Sequence, residues 1–311
     1  MNDAAVGARD RSAVLIAAMP WVFVMIWSTG FIVARFGMPH APPLTFLSLR
    51  YGLSLLCFCM WIAFARVQWP SGRAQWAHLA VVGVMIHASY LGGVWAAVKA
   101  GIGAGTVALV VGLQPVLTAL WTSWRGDAET ATRERVGALQ WLGLALGLGG
   151  LVLVVWQKLG GGEVTHFNLG LAVLALISIT AGTLYQKHFV KPCDVRSASA
   201  VQLIAALAVS LPLALRETEV VAWQLPMIGA LAWSVLALTL GGSSLLYLLI
   251  QRGAATEVTS LMYLVPPCTS VLAWLLFDEA FTWSMVLGMM LTASGVALVV
   301  GLPARYRNGV T

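Results

Sequence analysis

Aromatic and neutral polar side chains in the middle of long apolar stretches are the groups in this sequence best suited to hold a ligand. Aromatic faces beside a few hydroxyl and amide groups suit a small organic molecule. The alternative is that these side chains only pack between helices and satisfy one another's hydrogen bonds. The candidates are Trp27, Ser28, Thr29, Tyr90, Trp95, Gln114, Tyr185, Gln186, Tyr247 and Tyr263. We expect a cavity that includes some of them.

Ionisable side chains inside the apolar stretches are few, so each is informative. Arg50 could contact a substrate carboxylate, or it could cap helix-end carbonyls or extend toward the membrane surface. His87 could change its charge near neutral pH, or it could be a packed, hydrogen-bonded histidine. For both residues we favour the structural role. Glu279, next to Asp278, ends an apolar stretch and is predicted to form a gate or a helix-end feature.

Four residues are candidate bending points of the helices that carry these groups. They are Gly30, Pro115, Gly182 and Pro266. A proline inside a helix leaves a backbone carbonyl without its usual donor, and that carbonyl then needs another partner or can contact a ligand. We therefore expect bending close to the candidate cavity.

The composition defines the class of protein that must position these groups. Of 311 residues, 59% are apolar and only 10% are charged, whereas a soluble domain carries about 25% charged residues. This excludes a soluble enzyme, a disordered scaffold and a secreted disulfide framework, and it indicates an integral membrane protein.

There is no nucleotide-binding loop, and the four cysteines have no zinc-site spacing. We expect no cofactor, no metal and no nucleic-acid partner, and we assign the net charge of +6 to basic loops.

Apolar windows of 18 residues or more predict an all-α membrane protein, since a spanning helix needs about 20 residues. Apolar residues run continuously and do not alternate, which excludes barrel strands. The ten predicted spans are 12–34, 44–65, 76–98, 102–124, 136–156, 167–186, 198–215, 225–250, 258–277 and 281–302. Thirteen of the 18 basic residues lie at the termini and in the even-numbered connections, and four lie on the other side. The positive-inside rule therefore predicts that both termini are cytoplasmic.

The chain also resembles itself at an offset of about 150 residues. At an offset of 152, residues 28–30 fall on 180–182 and Pro115 falls on Pro267; at 145, residues 141–143 fall on 286–288. Each copy contains five spans, an odd number, so the second copy enters the membrane from the opposite side. Inverted repeats of this kind place a binding site near the bilayer midplane and favour alternating access. We predict termini at 1–11 and 303–311 and two five-helix repeats at 12–160 and 161–302.

Several segments together resemble the ten-span EamA-type transporters of the drug/metabolite transporter superfamily. They are the WSTGF segment before Arg35, Pro43 followed by Arg50, the LQP and LVPP segments, Asp278-Glu279, and helices with glycines seven residues apart. The resemblance extends over about 20–301 and implies two inverted repeats around a central cavity. It also implies export of amino acids or other small metabolites, since bacterial aromatic amino-acid exporters are relatives. The loop 125–135 departs from the pattern because it is longer than its counterpart at 278–282.

The function we expect is export by alternating access across a bacterial inner membrane, with amino acids, aromatic or apolar ones among them, or related metabolites as substrates. No carboxylate lies in the middle of a span, which favours a facilitator or an exchanger over proton antiport. The alternative is export of another organic solute, such as a drug, a nucleoside or a sugar derivative, with proton coupling left open. An intramembrane enzyme is a remote alternative because the histidines do not pair with acids. The partners we expect are the solute and membrane lipid, with the chain as a monomer.

Overall fold

The computed structural model describes residues 3–125, 138–160, 162–242, 245 and 264–306. Every regular element in these stretches is a helix. In chain order the helices are α1 Asp3–Gly37, α2 Pro43–Phe64, α3 Arg73–Lys99, α4 Ala104–Val111, α5 Gln114–Arg125, α6 Ala138–Gly160, α7 His166–Phe189, α8 Val195–Ala214, α9 Leu225–Gly241, α10 Val265–Phe277 and α11 Trp283–Tyr306.

Five helices of the described part are long and apolar enough to cross a membrane: a portion of α1, and α2, α3, α7 and α8. Five shorter apolar segments accompany them, at Ala104–Thr118, Trp141–Trp156, Leu225–Gly241, Val265–Phe277 and Trp283–Leu298. The predicted all-α membrane fold is confirmed. The count of ten spans and the side on which the termini lie stay predictions.

The fourth predicted span differs from the expectation, because the chain turns at positions 112 and 113 and forms two helices, α4 and α5. The amide of Leu113 bonds the carbonyl of Val110, three residues back and not four. Pro115 has no amide hydrogen and cannot bond the carbonyl of Val111, which removes a helical hydrogen bond next to the turn and favours the break there. In the second half, the described part of the ninth span begins at Leu264, the position equivalent to Gly112.

The pattern of contacts between the helices stays the same when the two halves of the chain are exchanged. Helix α2 packs along α8, and α6 packs along α11. Contacts between α3 and α7 have their counterpart in contacts between α9 and α1, and α4 packs on α10. Each contact joins helices at equivalent positions of the two repeats or has a counterpart with the repeats exchanged. That is the arrangement a pseudo-two-fold axis between the two halves produces.

Glycines allow the backbones of α6 and α11 to meet directly. A Cβ atom on Gly150 would collide with the carbonyl oxygen of Gly288, and one on Gly288 would collide with that of Gly150. Gly295 meets Gly143 in the same way at the other end of the contact. Small residues at a helix interface let two membrane helices approach closely and gain van der Waals contact. The helix pair therefore depends on the glycines that carry the internal repeat.

Two helices widen into π-helical segments at nearly equivalent positions, Gly83–Leu91 in α3 and Ser234–Gly241 in α9. A shift of 152 residues places the first segment on the second with an offset of one or two residues. Segments of this kind are rare and occur frequently at functional sites. Both flank the same central group of side chains.

Candidate functional site

The guanidinium of Arg50 lies buried inside the fold, at the contact of α2, α3 and α9. Its side chain comes from α2 and is only 7% exposed. Nε and Nη2 each donate to Oγ1 of Thr239, at 3.2 Å. The guanidinium carbon lies 5.5 Å from the ring centroid of Trp95, a distance at which a cation is attracted to an aromatic face. Arg50 is thus held between a hydroxyl and an indole, and neither carries a negative charge.

The orientation of the Thr239 hydroxyl is determined by the π-helical segment in which it lies. Oγ1 donates its hydrogen to the carbonyl oxygen of Ser234, five residues back, at 2.8 Å. A hydroxyl has one hydrogen to donate and two lone pairs to accept with. Because the hydrogen is used on Ser234, the lone pairs face Arg50. Thr239 therefore positions the guanidinium.

Aromatic side chains form the other walls of this cluster. Trp95 packs on Phe46, with ring centroids 6.2 Å apart. Tyr51, the residue after Arg50, donates from its hydroxyl to the backbone carbonyl of His87 at 2.7 Å. Tyr90 is buried in the π-helical segment of α3, near the guanidinium. The surroundings of Arg50 are therefore apolar or neutral on the sides of α2 and α3.

Several buried donors of this cluster lack a hydrogen-bond partner among the described residues. They are Nη1 of Arg50, Nε1 of Trp95 and the hydroxyl of Ser54, which lies one helical turn after Arg50. Leaving a buried donor unpaired costs about 1–3 kcal/mol, and more when the group is charged. Native proteins rarely tolerate such groups without a reason, and a bound ligand is one such reason.

A second polar contact lies at the equivalent place in the other half. Nε2 of His87, on α3, lies 3.4 Å from Oε1 of Gln202, on α8. A shift of 152 residues aligns Arg50 with Gln202 and His87 with Thr239. The two contacts therefore join the same two positions with the repeats exchanged. Only the Arg50–Thr239 contact includes a permanent charge.

Of the three candidate residues of α1, Ser28 and Thr29 contact neighbouring helices, and Trp27 packs within α1. Ser28 is fully buried and donates to the carbonyl of Val24, while its own carbonyl accepts from the hydroxyl of Thr269 on α10 at 3.0 Å. Thr29 accepts from the indole nitrogen of Trp233 on α9 at 2.9 Å. The half-buried ring of Trp27 packs on Phe23, its neighbour one turn earlier, with ring centroids 5.4 Å apart. The contacts of Ser28 and Thr29 join the first helix to the second repeat.

The candidates on α5 and α7 lie apart from the Arg50 cluster. Gln114 donates to the hydroxyl of Thr183 at 3.3 Å, which joins α5 to α7. The hydroxyl of Tyr185 lies 2.9 Å from Nδ1 of His78, and Gln186 is exposed near the end of α7. The structure therefore brings Tyr90, Trp95 and His87 near Arg50 and places these other candidates elsewhere. Tyr247 and Tyr263 lie outside the described residues.

The candidate hinge residues have different surroundings. Gly182 packs tightly against Met85 and Ile86 of α3, whereas Gly30 faces only the side chain of Leu238, with space to spare. Pro266 is buried near the start of α10. Its ring approaches Gly112, at the turn before Pro115, so closely that a Cβ atom on that glycine would collide with it.

Glu279 forms a helix-end contact between the two repeats. Its carboxylate accepts from the amides of Ala104 and Gly105, at 2.9 and 3.4 Å, and so caps the start of α4. Glu163 accepts from the amide of Gly103 at 3.0 Å and from Lys158 at 2.7 Å. Carboxylates are stabilising at helix N-termini because the unpaired amides there carry partial positive charge. This end of the fold is held together by acidic side chains.

The opposite end of the fold has a polar cavity of about 450 Å³ between the connections that precede α3 and α8. Gln75 in its wall bonds both the amide and the carbonyl of Lys191. Asp194 also lines the cavity and forms an ion pair with Arg196, with 2.6 Å between oxygen and nitrogen. The hydrogen bond from Arg196 holds the pKa of Asp194 below its usual value. Polar side chains therefore join the two repeats at this end as well.

Thr239, Gln202, Tyr51 and Ser54 were not among the candidates from the sequence. Hydroxyl and amide residues are common in apolar helices, so none of them stands out by type. The internal repeat contained a usable signal, because applying the offset of 152 residues to Arg50 and His87 points to Gln202 and Thr239. No comparable signal identifies Tyr51 or Ser54.

The chain matches the model of the EamA-like transporter family twice, at residues 14–156 and 167–301. It is 25% identical over 295 residues to the Bacillus subtilis protein named uncharacterized transporter YvbV, covering 94% of this chain and 92% of that one. It is 26% identical over 298 residues to an Escherichia coli protein named as a probable amino-acid metabolite efflux pump, covering 92% of this chain and 95% of that one. A solved crystal structure shares the fold with a TM-score of 0.63 at 17% identity, covering 92% of this chain and 98% of that chain.

Proposed function

The chain belongs to the EamA-like transporter family, and we propose that it exports amino acids or related small metabolites across the inner membrane. It is a membrane transporter and not an enzyme. The proposal adds the class of substrate and the direction. Two relatives that align over most of their length are named as probable amino-acid metabolite efflux pumps, which supports both additions.

The observation that carries the proposal is the buried guanidinium of Arg50. Every amino acid presents a carboxylate, and the planar guanidinium matches that group better than any other side chain does. Thr239 holds one edge of the guanidinium, and Nη1 has no hydrogen-bond partner among the described residues. Trp95 and Tyr90 supply aromatic surface beside it. We therefore assign Arg50 to the substrate carboxylate and give it a functional role in place of the structural one the sequence favoured.

Transport then follows from the symmetry of the fold. Two similar halves can rock against each other and expose a central site to one side at a time. The contact made by Glu279 joins the two repeats at one end, which supports a gate there, and the cavity near Asp194 lies at the other end. We propose ten spans with both termini in the cytoplasm, a monomer, and a facilitator or exchanger mode.

A counterflow experiment tests the proposal. The purified full-length protein in liposomes preloaded with one unlabelled amino acid should take up the same labelled amino acid faster than protein-free liposomes do. A panel of aromatic and aliphatic amino acids identifies the substrate. The variant Gly149→Ala is a suitable control, because this glycine is exposed and an added methyl group there meets no atom within 4 Å. Counterflow of an unrelated organic solute, with none for any amino acid or related carboxylate metabolite, would overturn the proposed substrate class.

A further inference from the structure

The charges of the chain are unevenly placed around Arg50. All twelve acidic residues lie outside the middle of the predicted spans, in connections or near span ends. Of the 18 basic residues, Arg50 is the one inside a span. Arginine stays protonated in proteins, so the central site carries a positive charge that the adjacent side chains, a hydroxyl and an indole, do not neutralise. A buried charge without a partner is costly, and an ionisable group within the membrane marks a functional site by default.

The unpaired donors indicate what would neutralise this charge. Nη1 of Arg50 and Nε1 of Trp95 are both buried and without hydrogen-bond partners among the residues described. The guanidinium carbon lies 5.5 Å from the centroid of the indole, so the two unpaired donors belong to side chains in direct contact. A carboxylate has two oxygens and can accept from both donors at once. Among the described residues, the site thus has two unpaired donors that a carboxylate could satisfy.

We infer that the preferred substrate is a net anionic carboxylate, such as a 2-oxo acid or an N-acyl amino acid, and that the membrane potential drives its export. The inference rests on the proposed function and narrows its substrate class. A free amino acid would bring its ammonium group to a site that already holds a guanidinium, and like charges repel. A 2-oxo acid or an N-acyl amino acid presents the same carboxylate without that second cation.

The link to the membrane potential follows from the charge on the site. With an anion bound the site is neutral, and when it is empty it carries the charge of Arg50. One negative charge then leaves the cell per cycle, and the interior-negative potential favours the return of the empty, positive site. Moving one charge through 100 mV corresponds to a gradient of about 50-fold at equilibrium. A zwitterion carries no net charge, so the potential does not change its distribution.

The experiment compares two solutes of the same shape in liposomes containing the full-length protein. Phenylpyruvate carries one negative charge at neutral pH, and phenylalanine is a zwitterion. A potassium gradient with valinomycin sets an interior-negative potential of 100 mV. The final distribution of each solute is measured, because it does not depend on how the protein is oriented in the membrane. We expect phenylpyruvate to be about 50-fold more concentrated outside and phenylalanine, where it moves, to be equally distributed.

Two variants assign the effect to the site. Arg50→Gln should abolish protein-dependent movement of phenylpyruvate without lowering the thermal midpoint of the protein, because it removes an unpaired buried charge. Arg50→Lys keeps the charge and should retain part of the movement. A lower midpoint together with unchanged phenylpyruvate movement in Arg50→Gln would show a purely structural role and overturn the inference.

The possible outcomes separate the two proposals. Movement of phenylalanine without phenylpyruvate would overturn the inference and leave amino-acid export standing. A final distribution of phenylpyruvate that does not change with the membrane potential would also overturn the inference, because the cycle would then be electroneutral. Movement of neither solute, together with no counterflow of any amino acid, would overturn the proposed function and the inference with it.

Discussion

The Arg50–Thr239 and His87–Gln202 contacts occupy equivalent places in the two halves, yet they differ in chemistry. The first is a pair of hydrogen bonds from a charged group to a hydroxyl whose lone pairs are oriented by Ser234. The second is a single longer contact of 3.4 Å between an imidazole and an amide. The duplicated fold supplies the same positions twice, and only one copy carries a permanent charge. In the proposed transport cycle, the similar backbones of the two halves would allow the rocking motion, and the charge on one side only would serve binding.

The starts of α2 and α8 show the same contrast. Their N-cap residues, Pro42 and Asp194, are 152 positions apart. Asp194 caps its own helix by accepting from the amide of Arg196 at 2.9 Å. Pro42 cannot cap, and the amides of Leu44 and Thr45 are bonded by the carboxylate of Glu217 from the other repeat. The start of α8 is therefore capped by its own residue, whereas the start of α2 is capped by a residue of the other repeat.

The largest expected effect tests whether the charge of Arg50 makes the Arg50–Thr239 contact more important for transport than the His87–Gln202 contact. Removing one partner of a buried charged contact costs about 2–5 kcal/mol of binding free energy. Arg50→Gln should therefore reduce the transport rate at low substrate concentration by a factor of about 30 or more. Gln202→Met, at the equivalent position, should reduce it less than about threefold, because a 3.4 Å contact is weak. Initial rates in proteoliposomes measure both. Equal losses in the two variants would show that the charge is not what distinguishes the two contacts.

The next effect concerns α6 and α11, where the two repeats match in both sequence and contact. Gly150→Ala places a methyl group against Gly288 and should cost about 1–3 kcal/mol of unfolding free energy. Gly288→Ala should cost a similar amount, because the contact is reciprocal. Denaturant unfolding in detergent measures both, with the exposed neighbour variant Gly149→Ala as the unaffected control. A stable Gly150→Ala protein would contradict the close approach of the two backbones.

A smaller effect is expected when Arg50 keeps its charge and loses its orientation. Thr239→Val removes the acceptor oxygen and should lower transport about fivefold, as expected for a hydrogen bond worth about 1 kcal/mol. Thr239→Ser keeps the hydroxyl and should transport at nearly the rate of the original protein. A dose–response series in proteoliposomes should show the loss in apparent affinity. Equal losses in the valine and serine variants would indicate packing and not hydrogen bonding.

The smallest effect concerns the self-capped start of α8. Because Arg196 holds the pKa of Asp194 low, the ionised carboxylate stabilises the folded state above the unfolded pKa, about 4, and this contribution is lost as the pH falls through the lowered value. Asp194→Asn keeps a capping group without the charge. It should lower the thermal midpoint by at most about 2 °C at pH 7. A difference between the two proteins that grows on acidification would contradict the assignment.

The sequence predicted the class of fold and the family well and the site only in part. The apolar stretches and the repeat were sufficient for the all-α membrane fold and the EamA resemblance, because hydrophobic length and spacing are local properties. Arg50 stands out in the sequence, which favours a structural role because a lone arginine in a span does not reveal what faces it; its substrate-binding role stays a proposal. The break at Gly112 was missed because the stretch 102–124 is apolar on both sides of it. The predicted repeat boundaries and the orientation of the termini stay predictions.

The sequence by itself determined that this chain lies in a membrane, that it is built twice from one pattern, and that Arg50 is the one basic residue inside a predicted span. Those conclusions need only the order and polarity of residues along the chain. What only the tertiary structure decided is that Thr239, 189 positions away, accepts from Arg50 and that Trp95 lies beside it. Such contacts arise from the packing of α2 against α3 and α9. A hydroxyl or an indole becomes part of a site only through the geometry of its neighbours, which residue type and spacing do not encode.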